Sequence, residues 1–422
     1  MGSFAATDCI ILAGGLGTRL RNKVPELPKC MAPVAGRPFI SYVIDQMRMQ
    51  GIQRFVFSLG YRSAIIEDYL KLDYPTLEYT TVVEDEPLGT GGAIQLALQK
   101  VHSENVLIVN GDTLFKADVW AMMEVHQTHS AACTLALKPM KHVERYGAVV
   151  LNKMGQVVRF TEKKLYPEAL INGGIYLLNK EEFLDSNFPQ KFSFETDYLE
   201  KQAGAGRFYG SIHQDYFIDI GVPEDYDKAR SDLQRPALDL SEIDRSWTLF
   251  LDRDGVINNE AVGNYVRHWK EFIFSKGVLE TFKKLTDRFG RIIIVSNQRG
   301  VGRGLMTEAD LQSIHLEMQR EVEIVGGRID RIYYCTEKED TSFFRKPNPG
   351  MAFKAVREIK DIDLSRSIMV GNKPGDMKFG RYAGMFTVFI TSTNPDQEYP
   401  HPDIDAIYAT LSDFALKLEL PE

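Results

Sequence analysis

Leu12-Ala-Gly-Gly-Leu-Gly-Thr-Arg-Leu20 follows directly on Cys9–Ala13, a short apolar run that reads as a buried strand. In an open α/β sheet, ligands bind beyond the carboxyl ends of the strands. Gly14, Gly15 and Gly17 let a phosphate chain approach the backbone closely, with amides pointing inward. Arg19 adds a planar cation, and Leu27-Pro-Lys-Cys-Met31 offers Lys29 as a second phosphate contact. Taken alone, a G-G-x-G segment reads first as a glycine turn with a solvated arginine, because such turns are common.

Outward from this loop, short β-rich runs alternate with helical patterns. Cys9–Ala13, Phe55–Leu59, Val106–Val109 and Thr134–Leu137 are predicted strands. Phe39, Ile40, Val43, Ile44 and Met47 recur at helical spacing, as do Ile94, Ala97, Leu98 and Val101. A second series begins at Trp247–Leu251 and continues through Arg291–Val295, Ile329–Tyr334, Ser367–Val370 and Thr387–Ile390. The expected fold class is α/β in two domains, each a mainly parallel sheet with flanking helices. The expected boundaries are 1–235 and 246–422, with a linker over 236–245 that carries Pro236.

The bulk numbers agree with that division. A chain of 422 residues is too long for one ordinary core. Hydrophobic residues make up 44% and charged residues 26%, the balance of a soluble globular protein. With 50 basic and 58 acidic residues the net charge is −8, which disfavours general binding to nucleic acid or anionic membrane. Phosphate ligands must then be held by local sites. Cys9, Cys30, Cys133 and Cys335 are scattered without metal-ligand spacing and read as free thiols of a reducing compartment. Neither a signal peptide nor a membrane-spanning helix is expected, and the expected location is cytoplasmic.

Residues 8–232 resemble the sugar-1-phosphate nucleotidyltransferases. Beyond the glycine loop, the resemblance is carried by Glu86-Pro-Leu-Gly-Thr-Gly-Gly92, Asn110-Gly-Asp112, Phe160-Thr-Glu-Lys163, Asn172-Gly-Gly-Ile-Tyr176 and Phe217-Ile-Asp-Ile-Gly221, in the family's order. It implies a Rossmann-like fold. It also implies nucleotide contacts from Ala13, Gly14, Gly15, Gly17, Thr18, Arg19, Glu86, Gly89, Thr90 and Asp112. Glu162, Lys163, Asn172 and Gly173 are implied for the sugar phosphate. Asp112 and Asp219 are implied as Mg²⁺ ligands, and two carboxylates plus substrate phosphates suit that hard cation. Asp112 by itself reads as a helix cap. Arg19 and Lys29 would neutralise the triphosphate and then the departing pyrophosphate. Lys164 stands where the family often has proline. The stretches Gly15–Arg21, Pro25–Lys29 and Met31–Pro38 look like the heptose-1-phosphate guanylyltransferase branch, which implies GTP and a heptose phosphate as substrates.

The second strand series opens on Phe250-Leu-Asp-Arg-Asp-Gly-Val-Ile-Asn258. Asp252 and Asp254 are suited to serve as nucleophile and acid/base on one phosphate. A D-x-D-G segment alone also fits a calcium loop or a plain turn. Ile292-Ile-Ile-Val-Ser-Asn297, Arg345-Lys-Pro-Asn-Pro-Gly350 and Met369-Val-Gly-Asn-Lys-Pro-Gly-Asp376 complete an ordered set that resembles the haloacid-dehalogenase phosphatases over about 247–400. The resemblance implies an aspartyl phosphate on Asp252, acid/base work by Asp254, and phosphoryl or sugar-phosphate contacts from Ser296, Asn297 and Lys346. It implies Mg²⁺ held at Asp252, Asp254, Asn372 and Asp376. Asn372 departs from the family, which normally has a carboxylate there, so the site carries one negative charge fewer. Within the family the closest pattern is that of the heptose-1,7-bisphosphate 7-phosphatases, although histidinol-phosphate phosphatases are near relatives. The former usually carry a Cys/His zinc loop. The equivalent stretch Tyr334–Phe344 holds only Cys335, so no zinc is expected. No large cap is expected, and Asn259–Lys270 would roof the site. Arg303 and Arg345 would meet a distal phosphate, with surface salt bridging the competing reading.

The two halves make chemical sense in succession. A phosphatase that removes the 7-phosphate of a heptose bisphosphate yields a heptose 1-phosphate, which a guanylyltransferase converts to a GDP-heptose and pyrophosphate. The alternatives are the same reactions on a mannose-type or amino-sugar phosphate, or a catalytically weak phosphosugar-binding second half. Small-molecule partners are expected, with no nucleic acid and no membrane, and a homo-oligomer is compatible with the sequence.

Overall fold

The glycine loop hangs from strand β1 (Asp8–Ala13), which is buried on both faces. In the computed structural model, residues 7–15, 17–20, 23–162, 164–261 and 264–418 are described; Lys163, expected at the sugar phosphate, lies outside them. The chain forms two units, Met1–Arg235 and Pro236–Glu422.

In the first unit, β1 is flanked by β2 (Arg54–Leu59) and β4 (Asn105–Asn110), both parallel to it. β3 (Glu78–Val83) extends that edge in parallel. On the other side β6 (Tyr166–Asn179) pairs antiparallel with both β4 and β5 (Cys133–Val143), and β7 (Phe208–Ile212) closes the sheet parallel to β5. The seven-stranded order is β7-β5-β6-β4-β1-β2-β3. Runs such as Cys-Ile-Ile and Val-Leu-Ile-Val form strands here because helices cover both faces of the sheet centre, so alternation is not required. Asp8 anchors the start of β1, accepting from the His102 and Ser103 amides at 2.7 and 2.8 Å and pairing with Arg54 at 2.9 Å. A short ribbon, Thr113–Phe115 antiparallel to Phe217–Asp219, brings a distant carboxylate beside the end of β4.

The second unit is simpler. β8 (Thr248–Leu251) is central, with β9 (Arg291–Asn297) and β10 (Arg331–Cys335) on one side. On the other lie β11 (Ser367–Gly371), β12 (Phe386–Ile390) and β13 (Ala406–Tyr408). All five pairings are parallel. Helices Val278–Arg288 and Glu308–Ile324 belong to the core on one face, while Gly350–Glu358 and Pro374–Tyr382 supply much of the other. Residues 236–245 pack onto this unit, with Ile243 buried in its core. Both sheets are thus mainly parallel α/β, and the parallel strands of each direct their carboxyl ends to one side.

Candidate active sites

In the first unit the backbone after β1 and β4 forms the floor of three adjoining cavities. The largest of these, about 620 Å³, is lined by Gly14, Gly15, Glu86, Gly89, Thr90 and Asp112, together with Tyr61, Glu84 and Glu195. A cavity of about 460 Å³ is lined by Arg19, Glu162, Asn172, Gly173 and Asp219, with Arg145 and Tyr146. The two share Asn110 and Glu195. A smaller space of about 180 Å³, lined by Ala13, Gly17, Arg19, Lys29 and Asp112, adjoins both.

Local chemistry explains these walls. Gly89 begins its helix at φ +74, and a Cβ there would meet the Phe192 carbonyl at 2.5 Å. Thr90 faces the cavity, but its hydroxyl donates to Glu195 at 2.6 Å and accepts from the Phe194 amide at 2.9 Å. Asn172-Gly-Gly174 interrupts the register of β6 against β5. A side chain at Gly173 would overlap the Phe115 ring, and Gly174 lies at φ +73 against Asn110. Glu84 sits behind Gly14 and accepts from the Leu88 amide at 2.9 Å; burial pushes its pKa up. Glu84, Glu195, Arg145 and Tyr146 lie between or beside the recognisable motifs, and their local sequence carries no signal of its own.

Where the cavities meet, the Lys29 ammonium is 2.6 Å from Asp112 and 3.2 Å from Asp219. Burial works against the ammonium, yet the two carboxylates outweigh it and raise its pKa. Burial and then the Asp112 charge push the Asp219 carboxyl up. Among the described residues no group of three or more His, Cys, Asp or Glu stands ready to hold a metal. Two carboxylates that share one cation could hold a metal together with substrate phosphates.

In the second unit Asp252 follows β8, and its amide donates to Val370 of the neighbouring strand at 3.0 Å. Lys346 lies 2.8 Å from Asp252 and 2.7 Å from Asp376, all three buried, and its ammonium also donates to the Val295 carbonyl. Burial lowers the Lys346 pKa, but the two carboxylates reverse that. Burial, reinforced by Asp376, pushes Asp252 up to about 7 against the pull of Lys346. Asp254 is different. Burial opposes its charge, but Arg253 donates to both its oxygens at 2.9 Å, with further bonds from Asn258 and Gln298, and its pKa falls below the ordinary carboxylate value. Ser296, at the end of β9, accepts from the same Gln298 amide at 2.7 Å. Asn297 brackets Lys346, accepting from its amide and donating to its carbonyl, each at 3.0 Å.

Asp376 is fully engaged. One oxygen meets Lys346, and the other accepts the amides of Asn372 and Lys373 at 3.1 and 3.0 Å. Asn372 is buried, and its carboxamide oxygen has no hydrogen-bond partner. Gly255, at φ +90, lies against that carboxamide where any Cβ would overlap it. A buried, unpaired amide oxygen on the turn that holds Asp376 suits a cation that needs one more oxygen ligand. Arg345 pairs with Asp340 at 3.0 Å, and Arg299 pairs with the same carboxylate. Arg303 is exposed and donates to the Tyr265 hydroxyl at 3.1 Å. Cys335 is buried with its thiol near the Ser342 hydroxyl. Arg253, Gln298 and Glu260 complete this cluster, and none was singled out from the sequence. No helix among the described residues is long and apolar enough to cross a membrane.

Residues 8–235 match the family described as nucleotidyl transferase, and residues 249–422 match the family described as polynucleotide kinase 3 phosphatase. D-glycero-alpha-D-manno-heptose 1-phosphate guanylyltransferase of Aneurinibacillus thermoaerophilus is 48% identical over 54% of this chain and 98% of its own. The solved structure of HddC from Yersinia pseudotuberculosis is 36% identical over 54% of this chain and 99% of its own, with a TM-score of 0.50. That of D,D-heptose 1.7-bisphosphate phosphatase from B. bronchiseptica, with magnesium and phosphate, is 29% identical over 41% of this chain and 97% of its own, with a TM-score of 0.38.

Proposed function

The chain belongs to the nucleotidyl transferase family through residues 8–235, and from that premise we propose that it carries out two successive steps towards a GDP-heptose. The second unit removes the 7-phosphate of heptose 1,7-bisphosphate. The first unit then transfers GMP from GTP to the resulting heptose 1-phosphate.

The observation that carries this reading is the junction of the first unit's cavities at Lys29, Asp112 and Asp219. A triphosphate in the larger cavity and a sugar phosphate in its neighbour would meet there. The sugar-phosphate oxygen forms a bond to the α-phosphorus while the bond to pyrophosphate breaks. Lys29 and Arg19 hold the triphosphate and take up the charge that moves to the leaving group. Glu162 and Asn172 bind sugar hydroxyls, Lys163 the sugar phosphate, and the Glu86–Thr90 loop meets the base. The identity of the sugar and the base rests on the guanylyltransferase relative, which is similar over the whole of this unit.

In the second unit the Asp252 carboxylate bonds to the phosphorus as the bond to the sugar oxygen breaks, and that oxygen takes its proton from the carboxyl form of Asp254. Lys346 and Ser296 hold the phosphoryl oxygens. Ionised Asp254 takes a proton from the water that then cleaves the aspartyl phosphate, with Arg253 holding its carboxylate in place. Arg303 and Arg345 face the distal phosphate of the substrate. Asp112 with Asp219, and Asp252 with Asn372 and the Asp254 carbonyl, are the groups that would hold Mg²⁺. The bound ion supplies neutralisation of phosphate charge in each unit. Buried free thiols fit a cytoplasmic location.

The test incubates the full chain with D-glycero-D-manno-heptose 1,7-bisphosphate, GTP and Mg²⁺, and identifies products by mass. GDP-heptose, phosphate and pyrophosphate are expected, with ATP, CTP and UTP giving far less nucleotide sugar. Parallel reactions replace the sugar by mannose 1-phosphate, or the bisphosphate by a 3′-phosphorylated oligonucleotide. Preference for either would overturn the corresponding half.

A further inference from the structure

Asn372 stands where the phosphatase reading needs an oxygen ligand, but a carboxamide offers either an oxygen or a nitrogen to the site. Its environment decides between them. The carboxamide nitrogen donates to the Thr393 hydroxyl at 2.6 Å and to one oxygen of Glu260 at 3.3 Å. A hydroxyl accepts or donates, whereas an ionised carboxylate only accepts. Glu260 therefore fixes which way the amide faces. The opposite orientation would set two oxygens against each other and leave a buried amide nitrogen without an acceptor. The Asn372 oxygen is left buried without a partner, on the turn after β11 whose amide donates to Asp376. Glu260 is itself fixed, since its other oxygen takes the Lys373 ammonium at 2.6 Å. The Asn372 backbone is pinned as well, with its carbonyl accepting from Asn394 at 2.6 Å.

We propose that Glu260 is the positioning residue that makes Asn372 a cation ligand in the second unit. The inference rests on the phosphatase reading and names a device within it. Glu260 belongs to the segment after β8, a short way on from Asp252 in the chain. A carboxylate this close raises the basicity of the amide oxygen through the shared N–H donor.

The test uses the full chain with Asp112→Asn and Asp219→Asn, so that cation binding reports the second unit alone. Mn²⁺ is titrated without substrate and followed by electron paramagnetic resonance. Glu260→Gln is expected to weaken Mn²⁺ binding by about 10- to 100-fold, the usual cost of losing a group that orients a ligand. Adding Asn372→Asp is expected to restore most of that loss, because a carboxylate needs no amide to be turned. Unchanged affinity in Glu260→Gln would overturn the proposal. So would a loss that persists undiminished with Asn372→Asp, since Glu260 would then act through the fold or bind the ion itself. Asp252→Asn distinguishes the underlying reading: if it leaves Mn²⁺ binding intact, the phosphatase site itself has been misread.

Discussion

Asp252 and Asp254 sit two residues apart, both beside a cation, yet their environments push them in opposite directions. Arg253 forks onto Asp254 and holds it ionised, while Asp252 shares Lys346 with Asp376. Burial first, and then the second carboxylate on the same ammonium, push Asp252 up to about 7. This has a consequence for stability. A carboxyl whose folded pKa lies above its unfolded value favours folding most when it is protonated. That contribution is complete below the ordinary value of 3.8 and is lost as the pH rises towards about 7. Asp252→Asn keeps the shape and removes the charge. It should therefore stabilise the cation-free second unit at pH 8 by on the order of 1 kcal/mol, and by much less at pH 4. Calorimetry in the presence of a chelator measures this directly, and a gain independent of pH would contradict the charge argument. The same substitution should abolish phosphate release, so stability and function are opposed at this residue.

At the scale of elements, the decisive structures are the turns that leave each strand. Gly89 shows what such a turn requires. At φ +74 an alanine is strained, and its Cβ would press on the Phe192 carbonyl, whose own segment carries Glu195 into the cavity wall. Gly89→Ala should cost about 1–2 kcal/mol of stability. By displacing that wall it should raise the KM for GTP about tenfold, close to 1.4 kcal/mol of binding. Steady-state kinetics with GTP varied would show this, and an unchanged KM would mean that the segment does not shape the base pocket. The central strands and their terminal glycines were legible in the sequence because burial on both faces writes them as unbroken apolar runs. β3 was not, since its residues Glu78-Tyr-Thr-Thr-Val-Val83 are largely half-exposed at a sheet edge. β6 was missed as a strand for a related reason. Its first half, Tyr166–Leu170, is only partly buried, and Asn172-Gly-Gly174 breaks its period. Asp112, Asp219, Asp252 and Lys346 were legible as motif residues. Glu84, Glu195 and Glu260 reach their sites only through tertiary packing, which local sequence does not encode.

For the whole molecule, the two sites lie in separate units, each with its own core. The proposed reactions are coupled by their chemistry: one unit's product is the other's substrate. Asp252→Asn fed heptose 1,7-bisphosphate and GTP should form no GDP-heptose, yet it should form it at the parent rate from heptose 1-phosphate. Asp112→Ala should do the reverse, releasing phosphate from the bisphosphate at the parent rate while forming at most about 1% of the nucleotide sugar, since removing a metal-holding carboxylate costs several kcal/mol of transition-state stabilisation. Mixing the two variants then tests the sequence of events. If the intermediate is free heptose 1-phosphate, the mixture regains GDP-heptose after a lag that shortens as the Asp112→Ala variant is increased, because that variant supplies the intermediate. If nucleotidyl transfer preceded phosphate removal, Asp252→Asn would instead accumulate a GDP-heptose that still carries the 7-phosphate, and the mixture's lag would shorten with the Asp252→Asn variant. Mass spectrometry of the time course separates the two orders.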